Sequence, residues 1–199
     1  MSRVAGARRR RLVAASIALV IGASGVAPAR GDSKTGKQKI NGGSLEVTST
    51  AIALPQHTLT GEPVAIVGAA ESEWVAKDAR GTGGAWSVTL SASGPFISEA
   101  GSVETTARTI PIGSAQFEPG TAAAGSSSDV PTNLTLTALT LSTSAQTFLS
   151  CSQECKGKYS FTPNLSLTVP ANAYRSNYSA AVGASPINPY NVTLILTIS

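Results

Sequence analysis

Few residues in this chain have side chains suited to chemistry. Cys151 and Cys155 stand in a C-x3-C spacing, and His57 is the only histidine. In an oxidising compartment such a pair closes into a disulfide that staples a local turn. A metal site needs about four ligands, and two cysteines with one distant histidine fall short of that. His57 lies in the turn-like LPQHTLTG, with no nucleophile pattern beside it. No G-x-S-x-G elbow occurs, so Ser-His-Asp catalysis has no starting point. The acidic residues are scattered singly in sequence, so the carboxylate pair that acid/base hydrolysis uses would have to meet in space. Gly81-Thr82-Gly83-Gly84 precedes a strand rather than opening a helix, so it is not a phosphate cradle. The expectation is a non-enzymatic protein with no cofactor and no metal.

The segment with the most chemical character is 73–96, EWVAKDARGTGGAWSVTLSASGPF. An acid and a base, Asp78 and Arg80, flank a bend that ends in Gly81, and a second strand opens on Trp86 and Val88. The segment reads as a hairpin-like unit in which Asp78 and Arg80 pair to lock the turn. Trp86 shares a face with Val88 and Leu90, which favours core packing over sugar stacking. Trp74, in ESEWVAKD, has charged neighbours and is expected to be the more exposed aromatic.

The elements that carry these residues read as strands. Trp86, Val88, Leu90 and Ala92 alternate with Ser and Thr, and so do Leu165, Leu167 and Val169. Tyr190, Val192, Leu194, Leu196 and Ile198 share one face. Such period-two alternation marks strands with one dry face and one polar face, as in an antiparallel sandwich. Further strands are expected near 45–49, 63–67, 73–78, 103–110, 133–137, 158–161 and 178–182. No window after residue 30 keeps a helical apolar stripe for three turns, and Gly and Pro recur as in all-β domains. The fold class is therefore all-β, a single sandwich-like domain over 44–199, with a long loop near 113–131.

Residues 1–29 have another character. Five arginines precede the apolar run Leu12–Val26, and Ala27-Pro28-Ala29 follows. That is the layout of a secretory signal peptide. The run, about 15 residues, is shorter than the roughly 20 a bilayer span needs. Residues 30–43 read as a flexible basic tether. Its Arg30-Gly31-Asp32 is a chance tripeptide at the cleavage site. The sequons at Asn133, Asn164, Asn177 and Asn191 are by-products of Ser/Thr-rich strands. The formal charge of the 199 residues is +4, yet residues 40–199 hold 6 basic and 10 acidic groups, a net of −4. A general nucleic-acid partner is excluded on that balance, and the mature chain is expected to have no stable membrane span.

Asp78-Ala79-Arg80-Gly81-Thr82-Gly83 followed by Trp86-x-Val88 resembles the WxL-domain proteins of bacterial surfaces, whose hallmark is an Asp-x-Arg-Gly stretch leading into Trp-x-Leu. Thr168-Val169-Pro170-Ala171, the tyrosines after it and the last alternating strand fit the same pattern, over about 45–199. The resemblance implies a secreted β domain that associates non-covalently with the cell wall, peptidoglycan or a related polymer. Trp74, Asp78, Arg80, Gly81, Trp86 and Val88 are then its candidate ligand-binding or motif residues. Val88 replaces the motif leucine, and Leu196 stands where the second motif has tryptophan. The alternative is a structural or adhesive subunit that binds other surface proteins through open strand edges.

Overall fold

The computed structural model describes residues 37–199; the expected signal peptide and residues 30–36 of the expected tether lie outside the described residues. Ile40–Ser199 form one unit, built from sixteen strands and two short 3-10 turns. The strands are β1 Leu45–Thr48, β2 Val64–Ala69, β3 Trp74–Asp78, β4 Trp86–Ala92, β5 Phe96–Ser98, β6 Arg108–Ile110, β7 Ala115–Glu118 and β8 Ala123–Ala124. They continue as β9 Leu134–Leu136, β10 Leu139–Thr140, β11 Gln146–Cys151, β12 Gly157–Phe161, β13 Asn164–Val169, β14 Asn177–Tyr178, β15 Ile187–Asn188 and β16 Leu194–Ile198. Among the described residues no helix is long and apolar enough to cross a membrane.

All pairings are antiparallel, and three four-stranded sheets carry the fold: β1-β3-β12-β8, β10-β7-β13-β2 and β16-β4-β11-β9. The alternation read from the sequence is what the burial follows. Trp86, Val88, Leu90 and Ala92 of β4 are buried while Ser87, Thr89 and Ser91 are half-buried. Leu165, Leu167 and Val169 of β13 point the same way into the core.

The centre is aromatic, and each sheet supplies a ring. Trp74 of β3 lies 5.5 Å from Phe117 of β7 and 6.3 Å from Phe161 of β12. Phe148 of β11 lies 5.1 Å from Phe117 and 5.9 Å from Phe161. The tilted and edge-on arrangements suit the ring quadrupoles, and each such contact adds about 0.5–1.5 kcal/mol beyond its buried area.

Several expectations are corrected. The stretch 113–131 is not one long loop, because β7 lies inside it. Ala115 and Phe117 are fully buried, and β7 runs between β10 and β13 in the middle of a sheet. Of 103–110 only Arg108–Ile110 is strand, and of 178–182 only Tyr178, in β14. The segment 73–96 is not a hairpin. β3 and β4 belong to different sheets, so the bend between them is an arch across the core.

The ends of the unit meet at this arch. Leu45 pairs with Asp78, and Ser87 and Ser199 exchange two backbone hydrogen bonds. Gly43 donates to the Ala79 carbonyl at 2.7 Å, which docks the last residues of the expected tether onto the arch.

Candidate functional site

The motif residues form a clasp. Asp78 is buried, and its Oδ1 accepts from the backbone N and the Nε of Arg80, both at 3.0 Å. Its Oδ2 accepts from Arg80 Nη2 at 3.0 Å, and the same Nη2 donates to the carbonyls of Gly84 and Ala85. The guanidinium thus ties the start of the arch to its end. Hydrogen bonding to Arg80 holds the Asp78 carboxyl below the usual carboxylate range and pushes the Arg80 guanidinium up. Gly81 and Gly83 have φ of +74° and +66°, the region glycine adopts without strain. At Gly83 space is also lacking, since a Cβ there would sit 2.5 Å from the Glu154 carboxylate.

The tryptophans are core residues. Trp74 is 1% exposed, which corrects its expected exposure; its alternating neighbours Ala76 and Asp78 are buried beside it. Its indole N donates to the Thr50 carbonyl at 3.0 Å. Trp86 is 3% exposed and packs against Tyr159. Among the described residues its indole N finds no partner. Val88 is fully buried and pairs with Ile198 and Leu149. Leu196 pairs with Leu90 and packs on the core. Cys151 and Cys155 form the expected disulfide, with Cα atoms 6.2 Å apart. Cys151 pairs with Trp86 across β11 and β4, so the disulfide lies beside the clasp. Near it, Lys156 bonds Asp129 at 3.0 Å and also Glu154. None of the six motif residues offers an aromatic face to a ligand.

An open surface for a ligand lies elsewhere. A groove of about 990 Å³ has an apolar floor that includes Ile66, Ile110, Leu167 and Val169. That is near the upper end of the range for ligand sites, about 300–1,000 Å³. One wall is the segment Leu54–Leu59, which contains His57. This wall crosses β2 at Gly68, where a Cβ would meet the Ala53 carbonyl oxygen at 2.1 Å. The other wall carries Tyr174, Arg175, Tyr178 and Tyr190, with Arg108 beside them. A second hollow of about 500 Å³ adjoins, and Arg108 and Tyr174 line both. The Tyr174 ring, 70% exposed, stands at the boundary.

The wall is held by one carboxylate. Glu104 accepts from Arg108 Nη2 at 2.7 Å, from Arg175 at 2.8 and 3.0 Å, and from the Tyr178 backbone N at 2.7 Å. Bonding from Arg175, then from Tyr178, keeps the Glu104 carboxyl below its ordinary range, and Glu104 pushes Arg175 up. Arg108 lies over the Tyr174 ring at 5.4 Å and Arg175 over Tyr178 at 4.7 Å. The Tyr190 hydroxyl donates to the Tyr174 carbonyl, and burial pushes this phenol up. Below the wall, Asn177 is buried and donates to the carbonyls of Ser98, Glu99 and Thr106.

These groove residues were absent from the sequence-derived site. Their one sequence signal is that three of the four tyrosines, with Arg175, fall after residue 170. Among the described residues no three metal-ligating side chains gather. Compared with protein-family models, with curated proteins and with solved structures, the chain matches none.

Proposed function

We propose that the chain is an exported surface protein that holds a cell-wall polymer, peptidoglycan or a related one, non-covalently in the tyrosine-walled groove. The observation that carries this reading is Tyr174, a large aromatic ring standing 70% exposed between two adjoining hollows. Exposed rings over an apolar floor suit a ligand with apolar and polar faces, such as a sugar ring. Two hollows that share a boundary suit an elongated chain better than a compact small molecule. The WxL-like arch supports the reading through its likeness to wall-associated domains, with the clasp residues as framework rather than contact.

The test is co-sedimentation of the chain with purified wall. Tyr174→Ala is expected to lower the bound fraction at least about fivefold while leaving the unfolding midpoint in place, because an exposed ring adds little to stability. Sedimentation no greater than that of an unrelated control protein overturns the reading. A second reading, a subunit that binds other surface proteins, draws on the same apolar floor, which also suits an extended peptide. Cross-linking on intact cells separates the two. Protein adducts without wall binding favour the second.

A further inference from the structure

We infer that Arg108 and Arg175 read a carboxylate, so that the polymer in the groove is an acidic glycan rather than a neutral one; the inference rests on the groove being the wall-binding site. Charge distribution carries it. Residues 40–199 have a net charge of −4, with only 6 basic residues. Two of those six, and the only histidine, line this groove. Among the residues lining the groove and the adjoining hollow, Glu104 is the one carboxylate. The local sum of Arg108, Arg175 and Glu104 is +1 on an otherwise acidic body. A cationic patch on an otherwise acidic domain concentrates positive potential at one place, and it favours an anionic partner there.

Hydrogen-bond capacity agrees. The two guanidiniums make five hydrogen bonds within the chain. Each carries about five N–H donors, so about half remain for a ligand. The planar fork matches a carboxylate in a bidentate way, which a lysine cannot reproduce. Glu104 holds both forks in place from behind, and the side chain of Arg175 is 45% exposed. A neutral sugar strand would offer these donors only single, uncharged hydroxyl and carbonyl acceptors. A carboxylate beside a sugar ring on Tyr174 would use the donors and the ring together.

The experiment varies the ligand first. Wall is prepared native and with its carboxyl groups amidated by a neutral amine, and the purified full chain is sedimented with each. The charge-assisted pairs predict at least about a tenfold loss on amidated wall. Polygalacturonate is expected to compete and its methyl ester, with the same backbone and no charge, is not. Arg175→Gln is expected to abolish the distinction with its unfolding midpoint kept, and Arg175→Lys to restore part of it. Equal sedimentation on native and amidated wall overturns the inference while wall binding stands. If native wall does not sediment the chain, the wall-binding reading falls. Direct titration with polygalacturonate and its ester then decides the carboxylate site, and equal or absent binding overturns it. Polyglutamate competing better than polygalacturonate overturns the glycan in favour of an acidic protein partner. Should Arg175→Gln unfold, the ligand arms decide alone.

Discussion

The two tryptophans test how far burial and hydrogen bonding separate in one core. Both are buried, so truncation to alanine of either is expected to cost about 3–5 kcal/mol. Their phenylalanine variants are expected to differ. Trp74→Phe strands the Thr50 carbonyl that its indole N–H serves, whereas Trp86→Phe removes an indole N–H that has no partner among the described residues. Urea unfolding is expected to place Trp74→Phe about 1 kcal/mol below Trp86→Phe. Asp78 gives a pH prediction. Bonding to Arg80 lowers its carboxyl pKa, so the pair stabilises fully above the unfolded carboxylate value. That contribution is lost as pH falls through the lower folded value. Asp78→Asn is expected to cost about 2 kcal/mol near neutrality, the scale of a lost charge-assisted hydrogen bond, because the Arg80 side chain is 30% exposed and stays partly solvated. It is also expected to flatten the acid limb of the curve of unfolding midpoint against pH.

At the scale of the element, legibility followed regularity. β4 and β13 were readable because small polar residues alternate with large apolar ones on one face, and β16 because Leu194, Leu196 and Ile198 keep the same period although Ile195 stands outward. β11 was not, although it is central to its sheet. Its register shifts between Thr147 and Leu149, and Phe148 and Leu149 are both buried, so the alternation breaks where it would be sought. β7 is four residues among glycines and prolines, with Phe117 its one large core residue. The arch was read as a hairpin because local sequence shows a turn and not which sheet each flank joins. The groove was illegible for a related reason: Arg108, Arg175 and Tyr190 meet only because the local pairs β5-β6 and β14-β15 are tied together by Ser98–Asn188, Asn177–Ser98 and Arg175–Glu104 bonds, which span 90, 79 and 71 residues. Two element-level outcomes are expected. Gly68→Ala drives a Cβ into the Ala53 carbonyl, so it is expected to cost about 1–3 kcal/mol as overpacking and to weaken wall sedimentation by displacing the Leu54–Leu59 wall. Val67→Ala, exposed on the same strand, serves as its control. Replacing Cys151 and Cys155 together by alanine is expected to cost no more than about 2 kcal/mol, since so short a ring removes little chain entropy; the near-ultraviolet spectrum should persist.

For the whole molecule, charge was the most misleading number in the sequence and became informative once divided. The overall +4 belongs to the N-terminal segments, while the acidic body carries a small basic patch at its groove. Wall binding is expected to weaken as salt rises past physiological strength, where the screening length falls below about 8 Å. Replacing Lys34, Lys37 and Lys39 by Gln should reduce that salt dependence less than Arg175→Gln does, which sedimentation at several ionic strengths would measure. The meeting of both ends of the unit at the arch has a mechanical consequence. Leu45 and Ser199 leave from the pole where Trp86 begins β4, and Tyr190 and Arg108 lie past its far end, where Ile97 meets Asn191 and Ser98 meets Arg108. Anything attached to either end therefore pulls from the pole opposite the groove. A load applied through either end is borne first by the outer strands β1 and β16.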